Sequence, residues 1–236
     1  TLAYAYSNNP LGPFTYGGTI IDGRARGTDE NGKIIPTATP SCNTHGSICE
    51  INGKWYVFYH RENGVDEYAR QAMVAPITVK VTEGQQGKVE ISEGEYTSEG
   101  FELNGLNPFE RHSAGIACYY TGTQIATHNW PKTTYYGSYP VPFYGTEDKY
   151  EHPYDIRNNT NPVVNNLSGS IVGYKYFNFN PIFNKKKVSL LLNLKPEGVD
   201  GTINIMIDSP WPSKGGIKVG SISVSKNIPN KVTKLR

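Results

Sequence analysis

Apolar and polar residues alternate in short runs along this chain, and no segment carries the three-to-four spacing of a long amphipathic helix. Leu2-Ala-Tyr-Ala-Tyr-Ser7 predicts a strand, closed by the turn-forming Asn8-Asn-Pro-Leu-Gly-Pro13. Gly46 to Glu50 and Trp55 to His60 flank Asn52-Gly53, whose readiness to take positive φ predicts a tight hairpin. A further strand is expected from Tyr68 to Ala75, interrupted by Pro76, and then two more at Ile77 to Val81 and Lys88 to Ile91. From about Gly100 to Asn161 the pattern loses its period, and Pro, Tyr, Asn, His and Gly dominate. Alternation returns in Ile171 to Phe179, Val188 to Leu194, Thr202 to Ile207 and Ile217 to Val224. The expectation is an all-β chain of two units, with residues 105–149 as a linker or irregular entry segment between 1–104 and 150–236.

Composition narrows the partners. The 236 residues include 17 Tyr, only 19% are charged, and the formal net charge is +2. Such a balance does not suggest a phosphate-backbone partner, and the one basic run, Lys185 to Lys187, reads as a solvated turn. Polarity supplied by Asn, Thr, Ser and Tyr suits neutral ligands such as carbohydrate. No stretch approaches the ~20 apolar residues of a membrane span, and the N-terminus lacks the basic and apolar regions of a signal peptide. Nucleic acid and membrane are therefore not expected as partners. The cysteines are Cys42, Cys49 and Cys118, without metal-ligand spacing. Cys42 and Cys49 have two readings, a disulfide across a loop or two small core residues.

Within the first unit several segments fall in a recognisable order: Tyr4-Ala-Tyr-Ser-Asn-Asn-Pro-Leu-Gly-Pro-Phe14, His45-Gly-Ser, Asn52-Gly-Lys-Trp-Tyr-Val-Phe-Tyr-His-Arg61 and Arg70. Over about residues 1 to 80 the chain closely resembles the end of the catalytic domain of glycoside hydrolase family 43, the family of β-xylosidases, α-L-arabinofuranosidases and arabinanases. The resemblance implies the terminal portion of a five-bladed β-propeller over residues 1–104. Gly169-Ser-Ile-Val-Gly-Tyr-Lys-Tyr-Phe-Asn-Phe179, Gly201-Thr-Ile-Asn-Ile-Met-Ile-Asp208 and Val219-Gly-Ser-Ile-Ser-Val224 resemble a carbohydrate-binding module of family 6 type. That resemblance implies a jelly-roll-like β-sandwich over 150–236; the late tryptophan usual after the last of these strands is missing from Ser225 to Arg236, so a truncated sandwich is an open expectation.

The implied activity is inverting hydrolysis of O-glycosidic bonds in arabinose- or xylose-containing plant polysaccharides: arabinoxylan, xylan or arabinan. Inversion needs a base and an acid about 6.5–9.5 Å apart. The family draws its three carboxylates from earlier blades, so none is expected in this chain, the rest of the propeller is expected upstream, and the chain alone is expected to be inactive. Asp22, Asp29, Glu30, Glu50, Glu62, Asp66 and Glu67 read as surface or turn residues. The resemblance makes His45 an active-site support near the propeller axis, in some members close to a central calcium ion through water. It makes Arg70 a second support, a guanidinium able to reach both a carboxylate and a sugar hydroxyl. Arg61 is a weaker claimant, and Trp55, Tyr56, Phe58 and Tyr59 read as packing. In the second unit Trp130 and Trp211 are candidate stacking platforms for sugar rings, with Tyr135, Tyr136 and Tyr139 behind them. No cofactor is expected to be required, a structural calcium is left open, and a polymeric substrate points to an extracellular or cell-surface location. The alternative reading is a non-catalytic carbohydrate-binding or cell-surface β-protein.

Overall fold

A computed structural model describes residues 1–23, 27–35, 44–62, 70–84, 87–124, 127–128, 135–136, 140–142, 162–231 and 233–236, with backbone alone at 127–128, 135–136 and 142. In chain order the first strands are β1 (Leu2–Tyr6), β2 (Thr15–Ile21), β3 (Gly27–Thr28), β4 (Ile34–Ile35), β5 (Gly46–Ile51), β6 (Lys54–Glu62), β7 (Arg70–Ile77), β8 (Val79–Thr82) and β9 (Lys88–Ile91). They are followed by β10 (Tyr119–Thr121), β11 (Thr127–His128), β12 (Tyr135–Tyr136), β13 (Val141–Pro142), β14 (Val163–Val164), β15 (Ile171–Gly173), β16 (Leu192–Leu194), β17 (Gly201–Ile207), β18 (Ile217–Val224) and β19 (Thr233–Leu235). Among the described residues the only helical pieces are three short 3-10 turns, at Ala114–Ile116, Asn180–Ile182 and Pro212–Lys214. The chain is all-β, as the alternation predicts.

Two compact units divide the chain. The first comprises Thr1–Gly27 and Pro36–Asn178, and the second Thr28–Ile35 and Phe179–Arg236. The division therefore falls at Asn178 and not near residue 150, and the expected linker at 105–149 supplies β10 to the first unit. The reason lies in Ile171 to Phe179. Its alternation suggests one long strand, but β15 ends at Gly173 after pairing with β10. The next residues turn to serve a loop of the first unit: Leu106 N–H donates to Tyr176 O, and Glu95 accepts from both Lys175 Nζ and Tyr176 Oη.

The centre of the first unit is the antiparallel sheet β5-β6-β7. Asn52 and Gly53, at φ 51° and 75°, form the β5–β6 turn, which sets Ile51 opposite Lys54 and fixes the register of the whole hairpin. Alternate residues of β6 then point to opposite faces. Val57 and Tyr59 face inward with Ala75 and Ile77 of β7 and Ile20 and Ile21 of β2, and Trp55 packs against this cluster. Fully burying an aliphatic side chain such as Ile21 or Val57 contributes about 1.5–3 kcal/mol. Pro76 does not interrupt β7: it stands opposite Tyr56 on an edge strand, where a missing N–H is tolerated. A second apolar cluster joins Ala117, Tyr120 and Val141 to Val163, Val164 and Val172.

In the second unit β17 pairs with β18 and β16 with β19. Ile203, Ile205 and Ile222 share one face of the longer hairpin, while Thr202, Asn204, Ser221 and Ser223 share the other. Val188 to Leu191, expected to open a strand, is not strand and lies exposed before β16 begins at Leu192. No helix among the described residues is long and apolar enough to cross a membrane.

Candidate functional site

At the end of β6 farthest from the Asn52-Gly53 turn, the two faces of the sheet carry different chemistry. On the inward face Arg61 stands opposite Gln71, and only 5% of it is exposed. Its Nε and Nη2 donate to Gln71 Oε1 at 2.8 and 2.6 Å, and Nη2 also donates to Ala117 O and, at 3.2 Å, to Tyr120 Oη. The guanidinium lies 4.8 Å from the Tyr120 ring centre. Gln71 Nε2 donates to Gly115 O, and so does Tyr120 Oη. Arg61 thus ties the central sheet to the 114–121 segment. Its Nε and Nη2 donors are taken by protein acceptors, so the structure gives it a framework role.

The opposite face gathers four polar side chains. Gly46 pairs with Tyr59, so His45, one residue earlier, arrives beside His60, with the rings edge to face at 5.4 Å. Two residues along the same face of β6 lies Glu62, directly opposite Arg70 of β7. Glu62 is 1% exposed, Arg70 is partly exposed, and Nη2 of Arg70 is 3.8 Å from Oε1 of Glu62. The two residues singled out from sequence, His45 and Arg70, therefore share a face and one end of a sheet. The arrangement offers imidazole nitrogens and guanidinium N–H groups, donors and acceptors suited to hydroxyl-rich ligands. Further along this face Phe101 covers Tyr56 and Phe58, with ring centres 5.4 and 5.9 Å away.

Glu62 corrects the sequence expectation. It is neither a surface nor a turn residue; it is a buried carboxylate facing an arginine. The signal was present in the alternation, because a strand extended two residues beyond His60 places residue 62 on the same face as His60. His60 was missed for the same reason. Asp66 and Glu67 lie outside the described residues.

Other expected residues fall elsewhere. Trp55 and the buried Tyr56 and Tyr59 pack as expected. Trp211, in the second unit, has Lys214 Nζ 5.6 Å above its ring, and that ammonium donates to Thr28 O and Oγ1 at 3.1 and 2.9 Å. One ring face is thus occupied by a tethered cation. Trp130 and Tyr139 lie outside the described residues, as do the side chains of Tyr135 and Tyr136. Cys49 is a free, exposed thiol and Cys118 a free, buried one, which leaves no disulfide at Cys49; Cys42 lies outside the described residues.

Among the described residues no group of three or more His, Cys, Asp or Glu side chains is placed to hold a metal ion. Directly held calcium takes about six to eight oxygen ligands. Two imidazoles and one ion-paired carboxylate do not fit that requirement. A separate surface groove of about 370 Å³ lies at the other end of β1 from Leu2, lined by Tyr6, Asn8, Asn9, Pro13 and Gly87 among others. A second polar group joins Glu95 to Lys175 Nζ at 2.5 Å and to Tyr176 Oη at 2.8 Å. Burial acts to raise the Glu95 carboxyl, but the two hydrogen bonds outweigh it and hold the group below the usual carboxylate range.

Comparison with known proteins bears on half of the chain. It is 33% identical over 117 residues, 50% of its length, to a xylosidase/arabinosidase of Thermoclostridium stercorarium, and the match spans 24% of that protein. Over 59 residues, a quarter of the chain, it is 41% identical to a beta-xylosidase of Xylanibacter ruminicola and 39% identical to a xylosidase/arabinosidase of Bacteroides ovatus, covering 14% of each. The chain thus spans about a quarter or less of the curated relatives it matches. No protein-family profile matches it. No solved structure matches it either.

Proposed function

We propose that this chain is part of a glycosidase that hydrolyses O-glycosidic bonds in arabinose- or xylose-containing plant polysaccharides. The observation that carries this reading is the 33% identity over half the chain to a protein named xylosidase/arabinosidase. Supporting it is the meeting of His45, His60, Glu62 and Arg70 on one face of the β5-β6-β7 sheet. In this reading the first unit closes a propeller of the family 43 type, and its polar face borders a pentose subsite. The second unit is a family 6-type sandwich, and the enzyme works outside the cell.

Hydrolysis by inversion requires an acid and a base standing across the bond to be cut. On the described polar face the one carboxylate among the strand residues is Glu62, which is buried and ion-paired with Arg70. Following the family resemblance, we assign the acid and the base to segments outside this chain, and to His45 and Arg70 the holding of sugar hydroxyls. The purified chain should bind xylobiose or arabinobiose weakly while releasing no product from aryl xylosides or arabinosides. In histidine side-chain NMR spectra, the ligand should shift the His45 and His60 ring signals. It should leave those of His112, whose Nε2 is bonded to Asn107 O, unmoved. Measurable turnover would overturn the assignment of the carboxylates, and shifts confined to His112 would overturn the site.

A further inference from the structure

The Glu62–Arg70 pair is unusual in its division of exposure. The carboxylate is 1% exposed, while the arginine in front of it reaches solvent. Among the described residues the two are the last directly opposed pair of the β6–β7 ladder, so their backbones are held opposite each other by strand pairing. Among the described strand residues of this face there is no second acid: Glu50 stands opposite Trp55 on the other face. The positive charge of Arg70 is therefore balanced by the buried Glu62, while its side chain is partly exposed and its guanidinium carries further N–H donors.

From this we infer that Glu62 is a specificity-determining residue: by neutralising Arg70 it makes the face a binding site for uncharged sugars and denies an electrostatic advantage to sugars bearing a carboxylate. The inference rests on the proposed pentose subsite. An arginine alone is a strong attractor of carboxylates, through paired N–H···O bonds and net charge together. With a buried carboxylate already on it, the same arginine keeps its donors and loses the net charge. A sugar hydroxyl needs only the donors. A uronic acid, which differs from xylose by a carboxylate on C5, would gain nothing from that group and would meet the field of Glu62. Glu62 does not touch the ligand in this account and acts through Arg70.

Three matched probes test the inference: methyl xyloside, methyl glucoside and methyl glucuronide, the last two differing only in CH2OH against carboxylate. Binding to the full chain is measured by calorimetry at about pH 8 and low ionic strength, where uncompensated charge is screened least. The wild-type chain should bind the xyloside, and should bind the glucuronide no more tightly than the glucoside. Glu62→Gln, matched in shape, should raise the glucuronide-to-glucoside affinity ratio at least about tenfold and make it fall with added salt. Glu62→Asp, which keeps the charge and shifts it by one methylene, should weaken binding while leaving the ratio at its wild-type value. A residue with a merely structural role would move all three affinities together.

An unchanged ratio in a folded Glu62→Gln chain would overturn the inference. So would a wild-type preference for the glucuronide, a measurement that stands even if Glu62→Gln does not fold. Salt-sensitive glucuronide binding that appears in Glu62→Gln when the wild type binds none of the probes would support the charge balance and sink the pentose subsite. No binding by either chain would overturn both.

Discussion

Two arginines stand at the same end of one sheet, nine residues apart, and the fold uses them in opposite ways. Arg61 points inward and spends its donors on Gln71, Ala117 and Tyr120. Arg70 points outward and meets one carboxylate at 3.8 Å, with part of its surface in solvent. The alternation of side chains across a strand decides which is framework and which is available to a ligand. Residue type says nothing about it: the two differ in the parity of their position and in what packs over each face. The lesson extends to the histidines, because His60 shares its face with Glu62 and so belongs with Arg70, although Arg61 is its neighbour in sequence.

The sharpest way to break this comparison is to exchange the losses. Arg61→Met keeps much of the apolar stem but takes their Arg61 donors from Ala117 O and Gln71 Oε1, and leaves Tyr120 Oη with Gly115 O alone. Each buried polar group left without a partner costs about 1–3 kcal/mol, and the groups are coupled, so the expected destabilisation is about 3 kcal/mol in urea unfolding. Sugar binding by the folded fraction should be unchanged. Arg70→Lys keeps a cation beside Glu62 and should cost under about 1 kcal/mol, while weakening sugar binding through loss of the planar donor fork. Were Arg70→Lys the more destabilising of the two, the roles given to the two faces would have to be reversed.

A smaller effect is expected at the position that brings the two histidines together. A Cβ on Gly46 would lie 2.4 Å from Phe58 O and 2.9 Å from Leu2 Cδ2. The first of these is backbone of the paired strand and cannot step aside, so Gly46→Ala must push β5 away from β6. Overpacking of this kind costs about 1–3 kcal/mol. The displacement falls beside His45, so the His45–His60 ring contact should be lost along with ligand-induced shifts at both rings. A variant that retains both would show that His45 does not depend on this close approach.

Much of the first unit was legible because its signals are local. Asn52-Gly53 specified a hairpin turn, and with the turn came the register of β5 and β6 and the inward set of Val57 and Tyr59. His45 and Arg70 were legible as candidates by resemblance, but their meeting on one face was not, since it depends on pairing across three strands. The alternation through His60 places residue 62 on the same face, but whether the strand reaches Glu62 is set by its partner, Arg70 of β7, which stands opposite it. In Ile171 to Phe179 the sequence showed alternation but not the partner. Tyr174 and Tyr176 spend polar groups on Ala114, Glu95 and Leu106, and the strand stops at Gly173. Trp211 read as an open platform because the residue that caps it, Lys214, is held by Thr28, far away in sequence.

The smallest expected effect belongs to Tyr59, on the inward face two residues before Arg61. Its hydroxyl is buried and has no hydrogen-bond partner among the described residues, while its ring packs edge-on against Tyr96 at 5.2 Å. Burial, followed by the neighbouring Tyr96, pushes its pKa well above the ordinary tyrosine value, and burial pushes Tyr96 up to about 12. A pKa raised in the folded state means that stability is intact below the unfolded value, about 10, and is lost as pH rises from there toward the folded value, because the unfolded chain ionises first. Tyr59→Phe removes one such group together with an unsatisfied hydroxyl. At pH 7 the unfolding free energy should stay within about 1 kcal/mol of wild type, on the stabilising side. Between about pH 10 and 12 the variant should lose less stability than wild type, read from urea midpoints at each pH. A loss at pH 7 larger than about 1 kcal/mol would mean that the hydroxyl has a partner, and the inward face would then hold a second polar tie besides Arg61.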